Sequence, residues 1–277
     1  MPAPSGTPGS VLRMSVAATI FDLDDTLVVE EAQARWSLRQ VAGLLPGHDP
    51  GRVESVVLDT ARRLWRAGPC WALCRELGIA SWEGLWATFE GGHPVTDDLR
   101  DWARGYRPGV WSAALETLGV DDGATATAMS DMYIECQRDG HPLIDGAAEL
   151  VRSLQGHRRI GLLTNGPADI QRLKFESTGL ADCFDAVVIS GEVGMGKPDP
   201  AVFAYALEQL GTTAQTTVMV GDSWGRDVLG ALGAGMAAVW VAGGRAAPAT
   251  LPDVTVVDNV GELADVMPGW DRGRPRR

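Results

Sequence analysis

The chain has 277 residues, enough for one large domain or two modest ones, and a chain of that size buries about three quarters of its unfolded surface. Hydrophobic residues at 45% and charged residues at 22% exclude disorder over most of its length. A net charge of −12 opposes nucleic acid and anionic membrane as partners, because the long-range field repels polyanions, while a small phosphate ester held by a local metal stays open.

Residues 1–14 are rich in Pro, Gly and Ser, without the basic-then-apolar pattern of a secretory signal, and read as a disordered extension. The first apolar run, Val16-Ala17-Ala18-Thr19-Ile20, leads into Phe21-Asp22-Leu23-Asp24-Asp25-Thr26. A strand that ends in alternating acids presents them at its carboxyl edge, where open α/β sheets bind ligands.

Residues 29–141 then change character. They show no clear strand and read as about six helices, broken at Pro46-Gly47, Gly68-Pro69, Gly91-Gly92 and Pro108-Gly109. Seven of the ten tryptophans fall here (36, 65, 71, 82, 86, 102 and 111), as expected of a small bundle core. Inserted directly after the acid loop, such a bundle is placed to close over it as a lid.

From residue 160 onward apolar runs alternate with amphipathic segments. Strands are expected at 160–163, 186–189, 218–220, 238–241 and 254–257, each nearly continuous in apolar character, as in a parallel sheet covered on both faces. Crossover helices are expected at 168–177, 200–210 and 227–234, with Gly179 and Gly211 after helix ends. The expected fold class is α/β: a Rossmann-like, doubly wound parallel sheet built from 15–28 and 142–267, with an all-helical cap at 29–141. The end, 268–277, reads as a solvated basic tail. No apolar stretch reaches the roughly 18 residues of a membrane helix. Cys70, Cys74, Cys136 and Cys183 form no Cys-x-x-Cys and read as thiols of a reducing cytoplasm.

Three more islands follow the acid loop: Leu162-Leu163-Thr164-Asn165-Gly166, Gly196-Lys197-Pro198-Asp199-Pro200, and Val220-Gly221-Asp222-Ser223-Trp224-Gly225-Arg226-Asp227. In this order the four islands resemble the motifs of the haloacid dehalogenase-like hydrolase superfamily, over about residues 16–257. The position of the insertion resembles the first cap class of that superfamily. The resemblance implies Asp22 as the nucleophile that forms an aspartyl-phosphate, and Asp24 as the acid and base that protonates the leaving alcohol and then activates water. Thr164 and Asn165 would bind the phosphoryl group with Lys197 as a point charge. Mg²⁺ would be held by the carboxylates of Asp22 and Asp222 and the backbone carbonyl of Asp24. Asp227 would support Lys197 or reach the metal through water.

Four carboxylates against one lysine leave the site too negative for a phosphate dianion, so metal binding is expected to precede substrate. Asp24 also separates two chemistries: the dehalogenase branch lacks an acid there, since a halide leaves without a proton, whereas phosphatases and phosphomutases keep one. Two departures stand out, Asp25 where Gly is commoner and Gly225-Arg226 where an Asn often precedes the second acid. Asp25 is read as a loop support, Ser223 as a cap, Trp224 as packed, and His48, His93, His141 and His157 as loop or helix-end residues.

The expected protein is a cytoplasmic, Mg²⁺-dependent phosphatase of a small phosphorylated metabolite, monomeric or homodimeric. A phosphomutase of the same fold is one alternative; a phosphoacceptor signalling domain is another, opposed by Asp24 and by the large insertion. Arg62, Arg63, Arg66, Arg104 and Arg107 are the insertion residues expected to face substrate.

Overall fold

Strands that are apolar along their whole length have no face to offer water and must be covered on both sides. In the structure, a computed structural model describing residues 16–266, the six apolar runs pair into one all-parallel sheet of order β3-β2-β1-β4-β5-β6. The strands are β1 (Ala18–Phe21), β2 (Arg159–Thr164), β3 (Ala186–Ile189), β4 (Thr217–Gly221), β5 (Ala237–Val241) and β6 (Val254–Val257). The expectations for 1–14 and 268–277 fall outside the described residues. Strand order runs outward from β1 through β2 to β3, and from β4 through β5 to β6. The reversal between β1 and β4 opens the crevice at which such sheets take their ligands.

Between β1 and β2 the chain forms α1 (Glu31–Val41), α2 (Pro50–Ala67), α3 (Trp71–Leu77), α4 (Asp97–Leu118) and α5 (Gly123–Arg138), with short 3-10 turns such as Glu83–Leu85. Asp49 caps α2 by accepting from the Arg52 N–H, with Pro50 at the first helical position, and Asp122 caps α5 through the Ala124 N–H. The break expected at Pro108-Gly109 is absent: α4 runs 22 residues through Pro108. Proline deletes one helical hydrogen bond, but Tyr106, Val110 and Trp111 on the same helix are buried, and burying side chains of that size stabilises by about 2 kcal/mol each. Trp65 and Trp111 are buried in this bundle core, with Trp65 packed 4.8 Å from Tyr106 and 5.4 Å from Trp102 between ring centroids.

The insertion leaves and rejoins the sheet layer at one place. Val28 bridges Leu143, the Val29 N–H donates to Pro142 O at 2.9 Å, and the Ile144 N–H donates to Leu27 O at 2.9 Å.

The remaining helices are α6 (Ala147–Leu154), α7 (Ala168–Ser177), α8 (Ser190–Val193), α9 (Pro200–Leu210), α10 (Leu229–Gly233) and α11 (Leu263–Val266). They cover both faces of the sheet. Phe21, Leu162 and Val220 pack with α6 and Phe175 on one side, while Ile20, Leu163 and Met219 pack with Val202, Phe203 and Ala231 on the other. The helix expected at 227–234 is instead a π turn, Trp224–Val228, running into α10. Such turns are uncommon and cluster at functional sites; this one carries Asp227. No helix among the described residues is long and apolar enough to cross a membrane.

Candidate active site

Register gathers the motifs. Phe21 lies opposite Leu162 on one side and Val220 on the other, so Asp22, Thr164 and Asp222 emerge at one edge of the sheet. The Asp22 N–H donates to Val220 O at 2.9 Å, which fixes the first acid at the crevice. Lys197 arrives from the segment before α9: its ammonium lies 2.7 Å from Asp22 Oδ1 and 2.7 Å from Asp227 Oδ1. Asn165 pins that segment by accepting from the Lys197 N–H at 2.8 Å and donating to Lys197 O at 2.9 Å.

Asp227 is held from below, its Oδ2 accepting from the Ser223 N–H at 2.8 Å. Gly221 is what lets it approach, since a Cβ there would collide with the Asp227 carboxylate. Ser223 accepts from the Arg226 N–H and Trp224 packs on Trp240 at 5.1 Å, as cap and packed ring respectively.

Carboxylate oxygens of Asp22, Asp222 and Asp227 lie within 4.8 Å of one another. An all-oxygen, carboxylate-rich set with room for further ligands fits Mg²⁺. The third carboxylate of this group is Asp227, while the Asp24 side chain is engaged elsewhere. Burial pushes the Asp22 carboxyl upward against the pull of Lys197, with Asp227 and Asp222 adding to the rise. Burial also lifts Asp222 to about 6, assisted by Asp227 and opposed by Arg245. A nearby cation relieves both. Arg245, which carries no sequence signal, donates to Asp222 Oδ2 at 3.2 Å and to Asp222 O at 2.9 Å.

Asp25 has φ of 54°, the left-handed region, which is why glycine is common at this position. Its Oδ1 accepts from the Glu30 N–H at 3.0 Å and the Glu31 N–H at 3.3 Å, so it secures the loop.

Asp24 faces a second, separate group of donors. Lys174 Nζ lies 2.7 Å from Asp24 Oδ1, and Gln171 Nε2 donates to Asp24 Oδ2 at 2.8 Å. Lys174 also meets Glu30 Oε2 at 3.1 Å, and Glu30 is held further by His141 Nε2 at 3.1 Å and by the Trp82 indole N–H at 3.2 Å. Burial raises the Asp24 carboxyl despite Lys174, whereas for Glu30 burial is outweighed by Lys174 and His141, which hold it at about 2. His141 is thus buried within a charged cluster rather than free in a loop. Thr164 is buried, and its hydroxyl donates to Gln171 Oε1 at 3.4 Å; the cavity wall beside it is formed by Asn165.

A cavity of about 350 Å³ stands over these acids. Asp22, Asp24, Lys197 and Asp222 line it from the sheet side, and Arg62, Arg66, Arg75, Trp71 and Trp82 from the insertion. Of the five arginines expected there, Arg62 and Arg66 line the cavity. Arg107 instead donates to Ala87 O at 2.7 Å, and Arg104 lies 3.8 Å from Asp101. Arg75 and Arg226 complete the cationic lining.

A doubly wound parallel sheet with acids, a lysine and an amide at its switch point defines a class of hydrolase. The family model for haloacid dehalogenase-like hydrolase matches residues 16–235, and the chain belongs to that family. It is 36% identical to a phosphoserine phosphatase of Thermus thermophilus over 259 residues, 90% of this chain and 96% of that protein. It is 32% identical to a pyrimidine 5'-nucleotidase of Escherichia coli over 185 residues, 66% of this chain and 77% of that protein. Its fold matches that of the magnesium-bound HAD-hydrolase YfnB of Bacillus subtilis with a TM-score of 0.63 at 23% identity, covering 92% of this chain and 99% of the other.

Proposed function

We propose that the chain is a Mg²⁺-dependent phosphatase that hydrolyses a small phosphomonoester through an aspartyl-phosphate on Asp22. The observation that carries this reading is the separation of two neighbouring acids into different environments. Asp22 is paired with Lys197, and Asp24 is paired with Lys174 and Gln171. Two carboxylates in distinct settings are what a nucleophile and an acid/base partner require. The likeness to a phosphoserine phosphatase and a pyrimidine 5'-nucleotidase supports phosphomonoester hydrolysis.

In the first half-reaction an Asp22 oxygen forms a bond to phosphorus, the bond to the leaving oxygen breaks, and Asp24 gives that oxygen its proton. In the second, Asp24 takes a proton from water, the hydroxide bonds to phosphorus, and the Asp22–phosphorus bond breaks to return carboxylate and release phosphate. Lys197 balances charge on Asp22 and on the transferring group, and Asp227 keeps that ammonium in place. Asp22 and Asp222, with Asp227 beside them, would hold Mg²⁺, which would supply positive charge against the phosphoryl oxygens.

The cavity volume suits a small metabolite rather than a polymer. Its arginine lining opposite the acids favours a substrate with a second anionic group, such as a carboxylate, at the end away from the phosphoryl group. The test is a free-phosphate assay over sugar phosphates, nucleotides, phosphoglycolate and phosphoamino acids, with p-nitrophenyl phosphate as reference. Repeated turnover of p-nitrophenyl phosphate, lost in Asp22→Asn with an unchanged circular dichroism spectrum, is expected. A single stoichiometric phosphorylation would indicate a phosphoacceptor domain, and hydrolysis retained by Asp22→Asn would overturn the nucleophile.

A further inference from the structure

Lys174 takes no part in the chemistry above, yet it is a cation with no exposed side-chain surface, set against the acid/base residue. Its Nζ lies 2.7 Å from Asp24 Oδ1, 3.1 Å from Glu30 Oε2 and 3.8 Å from Glu83 Oε1. Gln171, about one helical turn earlier on α7, donates from Nε2 to Asp24 Oδ2 at 2.8 Å and to Glu83 Oε1 at 3.1 Å. Taking an ammonium out of water costs several kcal/mol even when it is paired, and a leucine or methionine would meet the packing need of a buried helix position. A lysine here serves its carboxylate neighbours.

Each Asp24 oxygen is bonded once, by a different side chain of the same helix, so the carboxyl group cannot rotate without losing a partner. Each oxygen keeps a second acceptor site, and Asp24 lines the cavity. The other members of the cluster belong to the helical insertion or its junctions: Glu83 from the Glu83–Leu85 turn, Glu30 and His141 from the two crossings. Glu83 is held on its far side by the Ala80 N–H at 2.7 Å, and Glu30 by Trp82. Glu83 reaches both Gln171 and Lys174 across the boundary between the insertion and α7, so separating the two would break both contacts.

We propose that Lys174 and Gln171 are positioning residues that hold Asp24 within reach of the leaving oxygen, and that Glu83 and Glu30 tie that placement to the docked insertion. The inference rests on the acid/base role given to Asp24 above.

The test compares Gln171→Leu, Lys174→Met and Glu83→Gln with Asp24→Asn, reading leaving-group release in a single turnover of two esters. One is an alkyl phosphate, whose alkoxide needs a proton; the other is 2,4-dinitrophenyl phosphate, whose phenolate leaves without one. Gln171→Leu and Lys174→Met are expected to slow the alkyl ester about 100-fold and the aryl ester by less than about threefold, with Glu83→Gln smaller in the same direction. Where Lys174→Met fails to fold, Gln171→Leu and Glu83→Gln decide. Equal losses on both esters, or no loss, in folded Gln171→Leu overturn the positioning role. Asp24→Asn separates the two layers: if it shows no leaving-group selectivity, the acid/base assignment falls and the clamp with it. Selectivity in Asp24→Asn but not in Gln171→Leu defeats the clamp alone.

Discussion

Asp227 stands 2.7 Å from the Lys197 ammonium, the same distance that separates this ammonium from Asp22. Lys197 is therefore strung between two carboxylates, and its raised pKa follows from them, since burial alone would lower it. Asp227→Asn removes one anchor while preserving shape. The expected result is a kcat loss of about 10- to 100-fold, the usual effect of removing a supporting partner of a functional group. Steady-state kinetics checks it, and a variant with wild-type kcat would leave Asp227 without a role in aligning Lys197.

One ammonium, Lys197, faces three acids, Asp22, Asp222 and Asp227, and leaves negative charge in excess. Treatment with EDTA is expected to abolish turnover and Mg²⁺ to restore it. A second readout is thermal: Mg²⁺ raises the melting midpoint of the wild type but not of Asp222→Ala, because a ligand that binds only the folded state stabilises it. Full activity in chelator would refute the metal requirement.

Arg66 and Arg75 line the cavity from the insertion. If they receive an anionic tail, Arg66→Ala or Arg75→Ala raises KM for a carboxylate-bearing phosphomonoester by about tenfold, the loss of one charge-assisted hydrogen bond. The change for p-nitrophenyl phosphate is expected to be smaller. Equal changes for both esters would remove the case for an anionic tail.

Glu30 gives a pH dependence of defined sign. Its folded pKa is about 2, below the ordinary 4.5, so the folded state favours the ionised form. The stabilisation is present above pH 4.5 and disappears as pH falls from there through about 2. Glu30→Gln, which imitates the protonated acid, is expected to cost on the order of 3 kcal/mol at pH 7. Urea denaturation at pH 7, 4 and 3 should show the gap between variant and wild type closing as acid is added. A gap that stays constant would mean that Glu30 is not ionised in the folded protein.

The sheet was legible because fully covered parallel strands leave apolar runs with sharp ends. All six runs became strands, and the helices expected at 168–177 and 200–210 match α7 and α9. The acids and Lys197 were legible because they sit at strand ends and loop starts, where sequence order maps onto one edge of the sheet. Lys174 was not. On α7 it reads as an ordinary polar residue, and its partner Asp24 is 150 residues away in sequence. Glu83 and Arg75 were hidden for the same reason, since only the docking of the insertion decides which of its side chains meet the cavity. Pro108 misled in the other direction: a local breaker was overruled by burial of its neighbours along α4.

The paired crossings at Val28 and Leu143 have one more consequence. Because the chain departs and returns through one antiparallel bridge flanked by two backbone hydrogen bonds, the ends of the excursion already lie side by side. No strand of the sheet lies within the bundle among the described residues, so a different excursion spliced at this seam would leave the strand order as it is. Any such replacement would have to restore the contacts that Glu30 and Glu83 make with Lys174, so exchange at the seam is constrained where the excursion touches α7 and open elsewhere.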